Sequence, residues 1–198
     1  LAGDREAFAR QAGRVARALD GRARVIVADA GCALALVRRY PEVGVTLPCP
    51  VEPLVELAAA SLSSFEPQAD EGGRVRGPVR WHDPCQLGRG LGIYDAPRAL
   101  LERALGRPPD EFDECRERAV CSGAGGLVPA TLPDVARKIA DSRLEAHLRE
   151  GGGRLVTACA ASLVMFRRRA GRYDVQVEDV IEWIGRLASG RRRGGRTR

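Results

Sequence analysis

Aromatic side chains are scarce in this chain. Of its 198 residues, 5% are aromatic, while 44% are hydrophobic overall. A core with so few rings has to be built mainly from Ala, Val and Leu. No apolar run comes close to the length of about 20 residues that a membrane-spanning helix needs, and no secretory signal is visible. The composition indicates a globular chain, long enough to bury a core in one large domain or two small ones.

A folded basic surface is also missing, although the formal net charge is +6. Much of the excess comes from arginines that crowd the end of the chain, after Gly190. We therefore predict a basic, disordered tail over residues 191–198 and no binding of nucleic acid. The six cysteines are widely spaced, unlike the framework of a small disulfide-bonded secreted protein. This spacing favours a reducing compartment, and we expect a cytoplasmic location.

Helical and strand patterns alternate along the chain, which predicts an α/β fold with a parallel sheet and helices on both faces. The patterns predict helices over residues 4–19, 33–40, 52–62, 96–105, 133–149, 163–169 and 180–187. They predict strands over residues 24–28, 43–47, 79–82, 154–158 and 175–177, and a further short strand before Cys121. The apolar runs at 24–28 and 154–158 are typical of strands buried in a parallel sheet. Residues 63–78 lose this periodicity and contain several Gly and Pro, so we predict a linker there.

The chain also contains a weak internal repeat. A shift of 130 positions places residues 24–39 on residues 154–169, and a shift of 126 places residues 51–56 on residues 177–182. The order of strand, turn and helix is the same in both copies, which favours a duplication. In this register Cys32 stands opposite Ser162, and Asp29 stands opposite Cys159.

The first copy has no counterpart of the segments around Cys85 and Cys121. We therefore expect Leu1 to lie midway through a module whose front half is absent from this sequence. Residues 1–62 are then the back half of a first cysteine-rich module, and residues 79–190 form a second one.

Three cysteines stand within distinctive sequence strings. Cys85 lies in HDPCQLGR (82–89), which runs on to GIYDAPR (92–98), and Cys121 begins CSGAGG, while Cys159 lies in TACAAS. Thirty-five residues separate Cys85 from Cys121, and thirty-six separate Ser122 from Cys159. The Asp-Pro pair before Cys85 ends the predicted strand at 79–82. The Cys85 thiol is therefore expected at the carboxyl end of a strand, where ligands collect in open α/β sheets.

This pattern resembles the cysteine-rich CCG domain of heterodisulfide reductases and of the iron-sulfur subunits of glycolate oxidase, lactate-utilisation and anaerobic glycerol-3-phosphate dehydrogenases. The resemblance covers the second module and implies a Rossmann-like fold. It implies an iron-sulfur cluster of the 4Fe-4S type, held by Cys85, Cys121 and Cys159, in an oxidoreductase subunit without catalytic residues of its own. Electrons would pass between this subunit and a flavin-containing dehydrogenase or another redox subunit.

The chain departs from the family pattern at two positions. Ser122 stands where the family has the second of two adjacent cysteines, and Ser162 stands where it closes a Cys-x-x-Cys. Serine oxygen is a poorer ligand for iron than thiolate, so three motif thiols fall short of an all-cysteine set. Candidates for the fourth ligand are Cys32, across the repeat, and Cys115. Ser122, Ser162 and His82 are candidates for weaker ligands or for vestiges of the family set. The resemblance also implies backbone contacts to the cluster from three loop glycines, which are Gly123, Gly125 and Gly126.

Other interpretations of the same residues stay open. The two serines are compatible with a degenerate interaction module that has lost its cluster and keeps its thiols as small apolar residues. Three thiolates and His82 form a ligand set that suits zinc, although His82 also fits as an orienting group or a strand-end residue. Cys49 is interpreted as a packing residue. No membrane span is expected, and peripheral association is left open.

Overall fold

The chain folds into two parallel β-sheets with helices packed around them. A computed structural model describes residues 3–61 and 77–189. Its helices are α1 (Arg5–Ala18), α2 (Ala30–Leu34), α3 (Leu54–Ala60), α4 (Gly88–Leu91), α5 (Asp95–Leu105), α6 (Val128–Thr131), α7 (Pro133–Arg149), α8 (Ala160–Ala170) and α9 (Val180–Ser189). Its strands are β1 (Val25–Val27), β2 (Val51–Pro53), β3 (Val79–Trp81), β4 (Arg154–Thr157) and β5 (Gln176–Asp179). A π-helical turn (Ala35–Arg39) continues α2, and short 3-10 turns occupy Pro41–Val43 and Arg116–Arg118.

All described strand pairs are parallel, as the alternating pattern predicts. One sheet pairs β1 with β2, and the other has the order β3-β4-β5. A parallel strand pair needs a crossover, and helices supply it: α2 lies between β1 and β2, and α8 lies between β4 and β5. The predicted α/β class with parallel sheets is confirmed.

Side chains from the two faces of the three-stranded sheet enter two separate cores. On one face Trp81 and Val156 pack with residues of α5 and α9, and with Ala30 of α2. On the other face Leu155 packs with residues of α7 and with Phe166 of α8. Helices therefore cover both faces, and the carboxyl ends of β3 and β4 are left at one edge of the sheet.

The two sheets pair their strands in the same register. Val25 pairs with Val51 in the first sheet, and Leu155 pairs with Val177 in the second. These are the positions that the shifts of 130 and 126 superpose. The structural pairing therefore follows the internal repeat of the sequence.

An ion pair recurs at the same place in both sheets. Arg24 Nη1 lies 3.0 Å from Glu52 Oε2, and Arg154 Nη1 lies 2.8 Å from Glu178 Oε1. Arg24 and Arg154 match under the first shift, and Glu52 and Glu178 match under the second. Each pair joins the two parallel strands of its own sheet.

The predicted strand over residues 43–47 is wrong. The chain forms a 3-10 turn at Pro41–Val43, and the amide of Val45 donates back to Tyr40 O at 3.0 Å. Gly44 has a φ of +75°, which a strand does not allow but glycine adopts freely. The strand that pairs with β1 comes later, at Val51–Pro53.

Two further strand predictions need correction. Residues 118–121, before the Cys121 thiol, form no strand in the described part of the chain. β1 is not buried on both faces as its apolar run predicts, because Ile26 is 46% exposed. The matching residue of the second sheet, Val156, is fully buried between β3 and β5.

The predicted linker and tail lie largely outside the described residues. Residues 62–76 and those after 189 are not described, so the linker over 63–78 is represented only by Gly77 and Pro78. Within the described ranges, no helix combines the length and apolar character that crossing a bilayer requires.

Candidate metal centre

Three motif cysteines lie at one end of the larger sheet. Cys85 follows the end of β3 by four residues, and Cys159 is the residue that precedes α8, two positions after β4. Because β3 and β4 are neighbouring parallel strands, these two thiols come from the same edge. Cys121 comes from the loop before α6. All three are free thiols; Cys85 and Cys121 are exposed, and Cys159 is buried.

The Cys85 thiol is subject to the charges of the other two thiols. Partial burial raises the pKa of the Cys85 thiol, and the negative charges of the Cys121 and Cys159 thiolates raise it further. The guanidinium of Arg89 and the backbone amide of Gln86 act in the opposite direction. Cys121 and Cys159 therefore both act on the charge state of Cys85.

The spacing of these groups matters for the kind of metal centre. In residues 3–61 and 77–189, no three His, Cys, Asp or Glu side chains are arranged to hold a metal ion. The zinc alternative requires His82 beside three thiolates, but the His82 ring is buried and packs against Phe166.

The two serines that replace family cysteines lie in contact. Ser122 Oγ and Ser162 Oγ are 2.8 Å apart, and both side chains are buried. Each hydroxyl satisfies the other, so neither is an unpaired polar group in the core. The two departures from the family pattern therefore form one structural unit, which sequence spacing alone does not reveal.

The loop after Cys121 needs glycine at one position in particular. Gly123 has a φ of +75°, and a Cβ there would lie 2.5 Å from Ala136 O of α7. Its amide donates to Cys121 Sγ at 3.3 Å. Gly126 also has a positive φ, of +62°, whereas a Cβ on Gly125 would meet nothing within 4 Å. Gly123 is thus the glycine that brings a backbone donor to a candidate ligand sulfur.

His82 lies beneath this edge and not among the exposed thiols. Its ring is 1% exposed and packs edge-on against Phe166, with centroids 4.9 Å apart. Its Nδ1 is buried without a hydrogen-bond partner. Burial is the main reason that the pKa of His82 falls from 6.5 to about 3, and the nearby charge of Arg143 lowers it further. The ring is therefore neutral at pH 7.

The buried His82 predicts a specific acid sensitivity. The unfolded chain binds a proton at this residue below pH 6.5, while the folded chain binds one only near pH 3. Stability contributed by the neutral ring is therefore lost as the pH falls from 6.5 towards 3. We expect His82→Leu to reduce the slope of unfolding free energy against pH by up to about 1.4 kcal/mol per pH unit. Urea denaturation at several pH values measures both slopes, and parallel slopes would contradict the prediction.

Cys32 lies close to the thiol edge through its backbone. Asp29 Oδ1 accepts a hydrogen bond from the Cys32 amide at 3.0 Å, and Asp29 Oδ2 accepts one from the Ala160 amide at 3.1 Å. One carboxylate therefore joins the first turns of α2 and α8, directly beside Cys159. Burial raises the pKa of the Cys32 thiol, and the negative charge of Asp29 adds to this rise.

The start of α2 also lies against the Cys85 turn. A Cβ on Gly31 would lie 2.5 Å from Gln86 Oε1, and a Cβ on Gly90 would lie 2.9 Å from Leu34 Cδ1. These close approaches place α2 between the turn that carries Cys85 and the start of α8.

Two remaining cysteines lie in different surroundings. Cys115 is half-buried and precedes the 3-10 turn at Arg116–Arg118. The next amide, of Arg116, donates to Asp83 Oδ2 at 2.8 Å, so this loop is fixed to the Asp-Pro turn. Cys49 is 8% exposed, in agreement with its interpretation as a packing residue.

Sequence reasoning missed the roles of three charged residues at this edge. Asp29 enters the sequence analysis only as the repeat partner of Cys159, and Asp83 only as part of a strand-ending pair. Arg89 belongs to the string around Cys85 but has no role assigned to it. Each of the three also contacts a backbone group distant in sequence, which are the Ala160 amide for Asp29, the Arg116 amide for Asp83, and the carbonyls of Glu117 and Ala119 for Arg89.

Comparison with known proteins identifies the class. Residues 79–167 match the family model of the CCG cysteine-rich domain, and this part of the chain belongs to that family. The matched segment contains Cys85, Cys121 and Cys159. The resemblance stated from the sequence is thereby confirmed.

Three relatives illustrate the proteins that carry such segments. A subunit of the dihydromethanophenazine:CoB–CoM heterodisulfide reductase of Methanosarcina mazei is 34% identical over 167 residues, 83% of this chain and 40% of that protein. Lactate utilization protein A of Oceanobacillus iheyensis is 26% identical over 167 residues, 79% of this chain and 66% of that protein. An iron-sulfur protein of Methanocaldococcus jannaschii is 31% identical over 135 residues, 68% of this chain and 24% of that protein. The chain thus spans 40% of the length of the first of these relatives.

Proposed function

We propose that this chain binds an iron-sulfur cluster and acts as an electron-transfer module in a heterodisulfide-reductase-like or glycolate/lactate-oxidase-like complex. The observation that carries the proposal is that Cys85 and Cys159 follow neighbouring parallel strands, while the hydrogen bond between Ser122 and Ser162 brings the Cys121 loop to the start of α8. The names of the relatives support it, since they include an iron-sulfur protein and a component of a heterodisulfide reductase.

The proposed ligands are the three motif thiols and Cys32. Cys32 is favoured over Cys115 because Asp29 joins its amide to that of Ala160, next to Cys159. The cluster, when bound, supplies one-electron redox chemistry. The protein holds the thiols in place and donates the Gly123 amide towards sulfur, an interaction of the kind that tunes a metal centre.

No acid-base or nucleophilic group is assigned a catalytic role in this proposal. His82 is buried and neutral, so it is not placed to exchange protons with a substrate. The organic chemistry therefore belongs to a partner, for which a flavin-containing dehydrogenase is proposed. The 4Fe-4S type of the cluster and the cytoplasmic location stay predictions.

We further propose that residues 1–62 are the back half of a duplicated module. The shared strand register and the recurring Arg–Glu ion pair support this organisation. Ile26 supports it too, because its match Val156 is buried in the central strand β4, whereas β1 pairs with one strand, β2, among the described residues. A strand equivalent to β3 would complete the first sheet.

Anaerobic reconstitution with iron and sulfide tests the function directly. The full chain is expected to become coloured, to bind iron and sulfide, and to give an EPR signal in one redox state. Replacing Cys85, Cys121 or Cys159 with serine is expected to weaken iron binding at least about 10-fold, since even the loss of an outer contact typically costs that much. Cys49→Ala, at a buried packing thiol, is the matched control and should bind iron like the native chain. A native chain that stays colourless and free of iron would end the proposal.

A second candidate function is a cluster-free interaction module. The hydrogen bond between Ser122 and Ser162 favours it, because two family ligand positions are occupied by hydroxyls that satisfy each other. Iron content after reconstitution separates the two candidates, since this one predicts none.

A further inference from the structure

We infer that Arg89 and Asp29 are positioning residues that hold the thiol-bearing segments together and shift the reduction potential of the centre in opposite directions. This inference rests on the proposed function. It concerns side chains that are not ligands themselves but contact the backbone beside the candidate ligands.

Arg89 connects the Cys85 turn to the loop that carries Cys121. It lies in α4, and the amide of the next residue, Gly90, donates to Cys85 O at 3.0 Å. Its Nη1 donates to Glu117 O at 3.0 Å and to Ala119 O at 2.8 Å. Those two carbonyls lie in the stretch just before Cys121, which no regular strand supports. One guanidinium thus fixes the approach of the loop to the turn.

The charge of Arg89 lies between the same two segments. Arg89 follows Cys85 by four residues, and its hydrogen bonds to Glu117 O and Ala119 O hold the guanidinium beside the chain that leads to Cys121. Reduction adds negative charge to a cluster, and a nearby fixed cation stabilises the reduced state more than the oxidised state. Arg89 therefore raises the reduction potential.

Asp29 holds α2 and α8 together in a similar way. Its two carboxylate oxygens accept from the amides of Cys32 and Ala160, so one side chain joins the first turns of two helices. A neutral acceptor could hold one of these amides, but only a carboxylate offers two acceptor oxygens. Its negative charge lies beside Cys32 and Cys159, where it disfavours added negative charge. Asp29 therefore lowers the reduction potential.

Redox titration of reconstituted full-length variants tests the two opposite shifts. Arg89→Gln is expected to move the midpoint potential to a more negative value, and Asp29→Asn to a more positive one. Arg89→Lys keeps the charge and should leave the potential close to that of the native chain. Two charge-removing controls on or just after α1, Arg10→Gln and Asp20→Asn, should not move it. Iron-loaded variants with unchanged or same-sign shifts would overturn the inference while leaving the proposed function intact.

A second readout needs no cluster. In the cluster-free protein, hydrogen exchange of the amides at 117–121 is expected to speed up in Arg89→Gln, and that of Cys32 and Ala160 in Asp29→Ala. Unchanged exchange would contradict the positioning role. If the native chain binds no iron, the proposed function fails, and the exchange measurement still decides whether these side chains hold the segments.

Discussion

Replacing Asp83 with alanine is expected to lower the free energy of unfolding by about 3–5 kcal/mol. The side chain is 3% exposed and accepts hydrogen bonds from Trp81 Nε1 at 2.9 Å and from the Arg116 amide at 2.8 Å. The two terminal nitrogens of Arg98 each donate to one of its oxygens at 2.8 Å. Alanine would leave the Trp81 Nε1–H and the Arg116 amide without this acceptor, and such groups are expensive to leave unpaired. Arg98 would keep its hydrogen bonds to Glu111 and to Tyr94 O but lose its most buried partner.

The pKa of Asp83 reflects the same contacts. Burial on its own raises that pKa, but the hydrogen bonds from Arg98 and the Arg116 amide outweigh it and hold the pKa below its ordinary value. The carboxylate therefore contributes stability above its unfolded pKa of about 3.9, and this contribution is lost as the pH falls below that value.

Chemical denaturation of the variants at pH 7 measures the effect. Asp113→Ala removes an exposed carboxylate from the same region and should change the stability by no more than about 0.5 kcal/mol. Asp83→Asn keeps one acceptor oxygen and should fall between the two. If Asp83→Ala unfolded at the same denaturant concentration as Asp113→Ala, the network around Asp83 would not have the role assigned to it.

Restoring cysteine at both Ser122 and Ser162 is expected to slow the loss of iron to a chelator by about 10-fold or more. The two hydroxyls are 2.8 Å apart, so two thiolates placed there would converge on the same side of the site. Thiolate is the ligand that iron-sulfur centres use, whereas serine oxygen is a weaker match for iron. Chelator challenge of the anaerobically reconstituted proteins, followed by visible absorption, gives the two rates.

Matched variants provide the controls for this comparison of iron binding. Ser61→Cys adds a thiol at the end of α3, where Ser61 Oγ donates to Leu57 O, and controls for adventitious iron. The native chain should bind iron less tightly than the double variant. It should bind iron more tightly than a variant that combines Ser61→Cys with Cys121→Ser. Equal retention in the native and double-cysteine proteins would show that the serine pair does not weaken the site. Binding in the double variant alone would favour the cluster-free interaction module for the native chain.

Much of the fold was open to prediction because its signals are local. α7 begins and ends at the predicted residues, Pro133 and Arg149, since its length and amphipathic period leave few alternatives. β4 was predicted from its apolar run, and the structure shows that its register with β5 matches that of β1 with β2 under the internal repeat. The strand prediction for residues 43–47 was wrong because their β-branched side chains are typical of a strand. Gly44 and the neighbouring prolines instead direct the chain into a turn.

The candidate site was predictable only in part. The three motif cysteines could be selected from their strings, but the contact of Ser122 with Ser162 joins residues forty positions apart. The role of Asp29 depends on an amide 131 positions away, at Ala160. Such contacts are set by how the helices pack and leave no mark in local composition.

The double hydrogen bond of Asp29 has a consequence for the speed of redox reactions. Amides that are already fastened to a carboxylate are not free to turn when the charge of a neighbouring group changes. The dipoles around Cys32 and Cys159 are thus preset, and little rearrangement of the surroundings accompanies a change of one unit of charge. For the proposed cluster, a stiff polar environment of this kind would keep the reorganisation energy small, so that an electron would arrive and leave with a low barrier.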